Sequence, residues 1–124
     1  MKIALDIDDT ISEAPEFFSA FTKAMRTSGH EIHVVTARHF ASEPATIKEL
    51  ETWGIEYDYL EFSVQKEQYC RDNGIEYAFD DYDLYYANSQ VCKFALFKVF
   101  YPKEEVEYWS RELNLIKPKT KTDK

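Results

Sequence analysis

Asp6 and Asp8 stand two residues apart directly behind the apolar run Ile3-Ala4-Leu5, and Thr10 follows at the same interval. A buried strand ending this way delivers carboxylates to a sheet edge. Extended chain alternates its side chains, so Asp6 and Asp8 are expected on one side while Ile7 turns back into the core. Two carboxylates held together repel unless a cation lies between them, and a hard divalent ion such as Mg2+ prefers oxygen ligands. The plain alternative is an acidic turn after a strand, because Asp is common in turns. A second acidic pair, Asp80-Asp81, closes a later apolar segment, residues 75–79. Between the two pairs lie Thr36, Arg38 and Lys66, each next to the expected end of a strand or start of a helix.

Alternating short apolar runs and amphipathic stretches must position these groups. After the first strand, Ser12 is expected to cap a helix that carries Pro15 in its first turn. Phe17, Phe18, Phe21, Ala24 and Met25 share one face of it at helical spacing, and Gly29 stops it. Residues 32–35 read as a second strand, ending in the polar loop Thr36-Ala37-Arg38-His39. A second helix from Ser42 or Pro44 turns Ile47, Leu50 and Trp53 inward and stops at Gly54. Residues 55–62, with Asp58 and Glu61 among apolar neighbours, read as an edge strand. Ser63 is expected to cap a third helix over 64–73, with Gly74 behind it, and residues 75–79 form the next strand. Farther on, residues 84–89 are expected to be helical with Asp83 as their cap, 92–100 a strand, and 102–114 a helix with Val106, Trp109 and Leu113 on one side. Residues 117–124 form a basic tail without periodicity. His30 and His33 flank the second strand as structural or solvated groups.

Strands alternating with helices predict a three-layer α/β sandwich with a mostly parallel central sheet and right-handed crossovers. In such sheets the reactive crevice lies beyond the carboxyl ends of the strands, where strand order reverses. Asp6, Asp8, Thr36, Asp80 and Asp81 all belong to that edge. The 124 residues suffice for one domain, taken as 1–116, with 44% hydrophobic and 16% aromatic residues to build its core. The net charge of -8 repels polyanions, so broad nucleic-acid binding is not expected. Cys70 and Cys92 lack metal-type spacing and are expected to be packing residues; with no charged-then-apolar leader, the expected compartment is the reducing cytoplasm. No apolar run reaches bilayer length, so no membrane partner is expected.

Asp6-x-Asp8-x-Thr10, Thr36, Lys66 and Asp80-Asp81, taken in order, resemble the four motifs of the haloacid dehalogenase superfamily. The likeness covers about residues 2–85, and four ordered motifs are more specific than any one. It implies a Mg2+-dependent phosphatase. Asp6 would be the nucleophile that forms an aspartyl-phosphate, and Asp8 the general acid and base, its pKa raised by crowded acidic surroundings. Mg2+ would be held by the Asp6 carboxylate, the Asp8 backbone carbonyl and Asp80, with Asp81 sharing the metal or its water. Thr36 and Lys66 would bind the transferring group, and Arg38 could fork onto a substrate phosphate or carboxylate. Only a few residues separate Thr10 from the first helix, and one helix and one strand lie between Thr36 and Lys66. There is no room for the substrate-selecting cap such proteins often insert. A capless site suits a large substrate or closure by a second subunit of a homo-oligomer. The Thr-Ala-Arg triplet and the Asp-Asp pair look more loosely similar to small nucleotide or polynucleotide-end phosphatases, so the expected partner is a phosphorylated small molecule such as a nucleotide. Tyr82, Tyr85 and Tyr86 could stack on a base, although packing against the sheet is the plainer role for them.

Two other classes fit part of the pattern. A response-regulator receiver would use Asp8 and Asp9 as its acidic pair and Asp58 as phosphoacceptor, but Asp80-Asp81 stands where a receiver carries Ser or Thr, and Lys98 is followed by Val99. A binding module that keeps the fold without turnover is the third class.

Overall fold

β-branched and apolar clusters of four to six residues are too short for stable helices and suit strands, whereas the longer stretches between them repeat at helical spacing. The computed structural model describes residues 1–81, the backbone of 93–96, and residues 107–108 and 111–112. In chain order its elements are β1 (Lys2–Leu5), α1 (Pro15–Thr27), β2 (Glu31–Thr36), α2 (Glu43–Thr52), β3 (Tyr59–Phe62), α3 (Lys66–Asn73), β4 (Tyr77–Asp80) and β5 (Lys93–Leu96). The strands form one sheet in the order β3-β2-β1-β4-β5, and every neighbouring pair is parallel.

Alternation along the strands separates two cores. Ile3, Leu5, Ile32 and Val34 join Phe18 of α1 and Leu50 of α2 on one face. Ala4, Val35 and Ala78 join Cys70 of α3 and Ile75 on the other. The sheet is therefore covered on both sides, α1 and α2 against one face and α3 against the other. Burying a side chain such as Phe18 or Leu50 completely stabilises the fold by about 1.5–3 kcal/mol each. Residues 107–108 and 111–112 are helical, inside the span expected for the last helix. The expectations at 84–89 and for Cys92, and those for Asp83 and the tail 117–124, lie outside the described residues.

Several boundaries differ from the sequence expectation. Ser12 does not cap α1: it sits in a 3-10 turn over Ile11–Glu13, and its hydroxyl accepts the Asp9 N–H at 2.8 Å. Helix α1 begins behind Ala14 with no side-chain cap, and its Pro15 already has the φ a first turn requires. Phe17 is 52% exposed and Ala24 is exposed, while Thr22 is buried, so the inward stripe runs through 18, 22 and 25 and leaves 17 and 24 at its margins. On α2 the same displacement exposes Ile47 and buries Thr46. Only Tyr59–Phe62 of the expected 55–62 strand is extended, at the sheet edge as expected. Helix α3 starts at Lys66 rather than 64; the Ser63 hydroxyl instead accepts the Gln65 N–H. The strand expected over 75–79 is displaced to Tyr77–Asp80, because Ile75 is spent on packing behind α3. Gly54 is required where it stands: it has φ +71°, and a Cβ there would lie 2.9 Å from the Ser19 hydroxyl.

Candidate functional site

Strand order reverses between β1 and β4, the two central neighbours from which the chain builds outward in opposite directions. Their carboxyl ends carry Asp6 and Asp80. The Asp6 N–H continues the sheet ladder to the Phe79 carbonyl at 2.9 Å, which sets Asp6 beside β4. Ile7 then turns into the core, fully buried as expected, and a turn carries Asp8 and Asp9 back over the edge. Asp9 takes φ +62°, a conformation Asp tolerates in turns. Thr10 returns inward and its hydroxyl donates to Asp6 Oδ2 at 3.2 Å.

Lys66, the first residue of α3, reaches into this edge from the opposite face of the sheet. Its ammonium donates to Asp6 Oδ1 at 2.7 Å and to Asp80 Oδ2 at 2.8 Å, and all three side chains are nearly inaccessible. Burial works against the Lys66 charge, yet Asp6 and Asp80 outweigh it and hold the ammonium above its ordinary pKa. Burial drives Asp6 the other way: its carboxyl is pushed up to about 7 despite Lys66, with Asp80 adding to the rise. One cation is thus shared among more carboxylate charge than it can neutralise. Asp6, Asp80 and the exposed Asp81 each offer a carboxylate oxygen, all within 4.8 Å of one another. A hard-oxygen set with excess negative charge is a fitting donor set for a divalent ion of the Mg2+ kind.

Asp8 departs from expectation. Its pKa is lowered, because Arg38 forks onto it, Nε to Oδ2 at 3.0 Å and Nη2 to Oδ1 at 2.8 Å. The carboxyl kept near neutrality by its surroundings is Asp6. Proximity along the chain suggested crowding around Asp8, but the turn moves it out to the rim, where a guanidinium meets it first. Its carboxylate accordingly stands outside the cluster formed by Asp6, Asp80 and Asp81.

Arg38 is held from behind by α2, donating to the Thr46 hydroxyl at 3.2 Å and lying 2.8 Å from Glu49 Oε1. Thr46 and Glu49 were not singled out by sequence reasoning, although their three-residue spacing on one helix face is the signal that pairs them. Thr36 ends β2 as expected and is fully buried, and its hydroxyl accepts the Arg38 N–H at 3.2 Å. The cleft of about 330 Å3 at this edge is lined by Asp6, Asp8, Asp9, Ala37, Arg38, Lys66, Asp80 and Asp81. Thr36 orients the loop that supplies Ala37 and Arg38 and does not itself line the cleft. Between Thr10 and α1 only the 3-10 turn intervenes, and between Thr36 and Lys66 only a second 3-10 turn, α2 and β3, so neither interval holds a cap. Tyr82, Tyr85 and Tyr86 lie outside the described residues.

A larger cavity of about 490 Å3 opens at the amino edge of the sheet, lined by Arg26, His30, Glu31, Glu56 and Asp58 among others. Arg26 already pairs with Glu56 at 3.3 Å and Asp58 at 3.1 Å, and Asp58 also accepts the Ile32 N–H. This placement corrects the receiver reading: Asp58 precedes β3 and lines the amino-edge cavity, at the opposite edge of the sheet from Asp8 and Asp9, so it does not stand beside that pair. His33 is buried within β2, bonded to Glu31 at 2.5 Å and to the Tyr69 hydroxyl at 2.7 Å. Burial pushes the Tyr69 phenol up to about 12. Cys70 is buried in the core, the packing role expected of it. Among the described residues no helix is long and apolar enough to cross a membrane.

The fold and the cleft together define a doubly wound parallel α/β protein with a buried lysine-bridged carboxylate cluster at its switch point. No protein-family model, curated protein or solved structure matches the chain.

Proposed function

We propose that the protein is a capless phosphatase of the haloacid dehalogenase type, hydrolysing a phosphomonoester through an aspartyl-phosphate on Asp6 with the help of Mg2+. The observation that carries this reading is the Asp6–Lys66–Asp80 bridge at the switch point of a parallel sheet. A structural ion pair needs one carboxylate per ammonium; a phosphoryl-transfer centre needs a surplus of carboxylate oxygens for a metal and a cation for the transferring oxygens.

Asp6 attacks phosphorus, Thr10 holds its second oxygen, and Lys66 keeps it oriented and screens it from Asp80. Asp6, Asp80 and Asp81 would hold Mg2+, which when bound withdraws charge from the phosphoryl oxygens and favours the ionised Asp6. Lys66 then balances the negative charge that collects on the transferring group. Asp8 gives a proton to the leaving oxygen and takes one from the water that cleaves the aspartyl-phosphate, a role that requires it to part from Arg38. The open cleft and the guanidinium at its rim suit a small phosphorylated substrate such as a nucleotide, with Arg38 reaching its oxyanion.

Phosphate release from nucleoside monophosphates, sugar phosphates and phosphate-ended oligonucleotides, with and without Mg2+, tests the reading. Release that requires Mg2+ and disappears in Asp6→Asn is the expected result. Mg2+ binding without release from any substrate would favour the second reading, a binding module without turnover, to which the engagement of Asp8 by Arg38 lends support.

A further inference from the structure

Arg38 and Asp8 are unequal partners. Arg38 is fixed: Thr36 accepts its N–H, Thr46 and Glu49 hold the guanidinium from α2, and its side chain is 23% exposed. Asp8 sits in a turn with its side chain 59% exposed, and among the described residues its carboxylate takes side-chain hydrogen bonds from Arg38 alone. The guanidinium therefore presents two N–H donors in a fixed fork toward the cleft, and an exposed carboxylate fills it. Guanidinium forks match two oxygens of a phosphate as well as they match a carboxylate.

We propose that Arg38 is a receptor for a tetrahedral oxyanion, the phosphoryl group of a phosphate ester or inorganic phosphate, and that Asp8 occupies it as an internal competitor until the oxyanion displaces it. The cleft favours such an exchange over simple addition. Five aspartates line it against Arg38 and Lys66, so an anion entering while Asp8 stays in the fork meets a net negative wall. Displacing Asp8 turns the rim cation toward the ligand and swings one carboxylate away from it. Glu49 is what allows Arg38 to stay in place meanwhile: its Oε1 lies 2.8 Å from the guanidinium nitrogen on the side away from Asp8. Resting on the phosphatase reading, the exchange also frees the Asp8 carboxyl for proton transfer only once a phosphoryl group is bound.

The test is a double-mutant cycle on inorganic phosphate affinity, measured by calorimetry at one fixed Mg2+ concentration for the wild type, Asp8→Asn, Arg38→Ala and the double variant. Asn cannot form the ionic fork, so Asp8→Asn is expected to bind phosphate about tenfold more tightly, the equivalent of one charge-assisted contact. With Arg38→Ala in the background, the same Asp8 change should alter affinity by less than about twofold. Arg38→Lys, which keeps the charge and loses the fork, serves as a second background should the alanine variant fail to fold, and it too should erase most of the gain. An equal tightening in every background would overturn the proposal, since Asp8 would then act only through its charge, and so would no tightening at all. The cycle reads binding alone: coupling without phosphate release sinks the phosphatase and leaves the receptor standing, whereas release without coupling sinks only the receptor.

Discussion

The two edges of the sheet carry charged clefts of similar make-up and opposite economy. At the amino edge Arg26 meets Glu56 and Asp58 in the open, each side chain more than a quarter exposed, and Asp58 spends its other oxygen on a backbone N–H. Water screens whatever imbalance is left. At the carboxyl edge Lys66 meets Asp6 and Asp80 out of water, with Asp81 at the mouth, and the imbalance has nowhere to go. Cavity size would rank the amino edge first; unneutralised buried charge ranks the carboxyl edge first, and only the second criterion identifies a place where binding a cation or a proton changes the energy of the fold.

Four measurements sharpen or break that contrast, beginning with the largest expected effect. Lys66→Met strands two buried carboxylates and should cost about 3–5 kcal/mol in urea unfolding, with part of the loss regained in the double variant that also carries Asp6→Asn. A loss under about 1 kcal/mol would mean that the buried bridge is no different from a surface pair. Next, Mg2+ at a hundredfold excess over its dissociation constant should stabilise the wild type by about 2.7 kcal/mol and leave Asp80→Asn unaffected. Equal stabilisation of both proteins would place the ion elsewhere.

The third measurement concerns pH. The Asp6 carboxyl is raised from 3.8 to about 7 in the folded chain, so the native state holds this proton more tightly than the unfolded state does. Its contribution to stability is full below pH 3.8 and is lost as the pH climbs to about 7, opposite in sign to an ordinary salt-bridged aspartate. In chelator, the wild type should therefore lose stability relative to Asp6→Asn across that window, and parallel pH profiles for the two proteins would contradict the assignment. The smallest effect belongs to the amino edge: Arg26→Ala should cost less than about 1 kcal/mol and lose even that in high salt.

Much of the architecture was legible before any coordinates. Each apolar run that predicted a strand core did so because a parallel strand covered on both faces must be apolar throughout, and glycines 29, 54 and 74 marked helix ends because each takes a positive φ. Helix beginnings were harder to read. Ser12 and Ser63 both carry the chemistry of a cap, yet each hydroxyl is used by a neighbouring turn, and hydroxyl side chains serve turns and caps through the same hydrogen bond. Residues 17, 24 and 47 lie at the margin of a helical stripe, where the period alone does not decide which side chain a neighbour covers.

The site divides in the same way. Sequence alone determined that Asp6 and Asp80 are groups to watch, because residue type and position at strand ends are local properties, whereas Lys66 stood out only by its place in the order of the four resembling motifs. Their mutual bridge, the raised Asp6 carboxyl, and the capture of Asp8 by Arg38 depend on distances between segments far apart in the chain. Asp8 is two residues from Asp6 along the backbone, yet it shares a hydrogen bond with a residue 30 positions away, and that pairing reverses the pKa shift expected of it. Electrostatic energy follows separation in space and burial, and both are set only when β1, β2, β4 and α3 have packed.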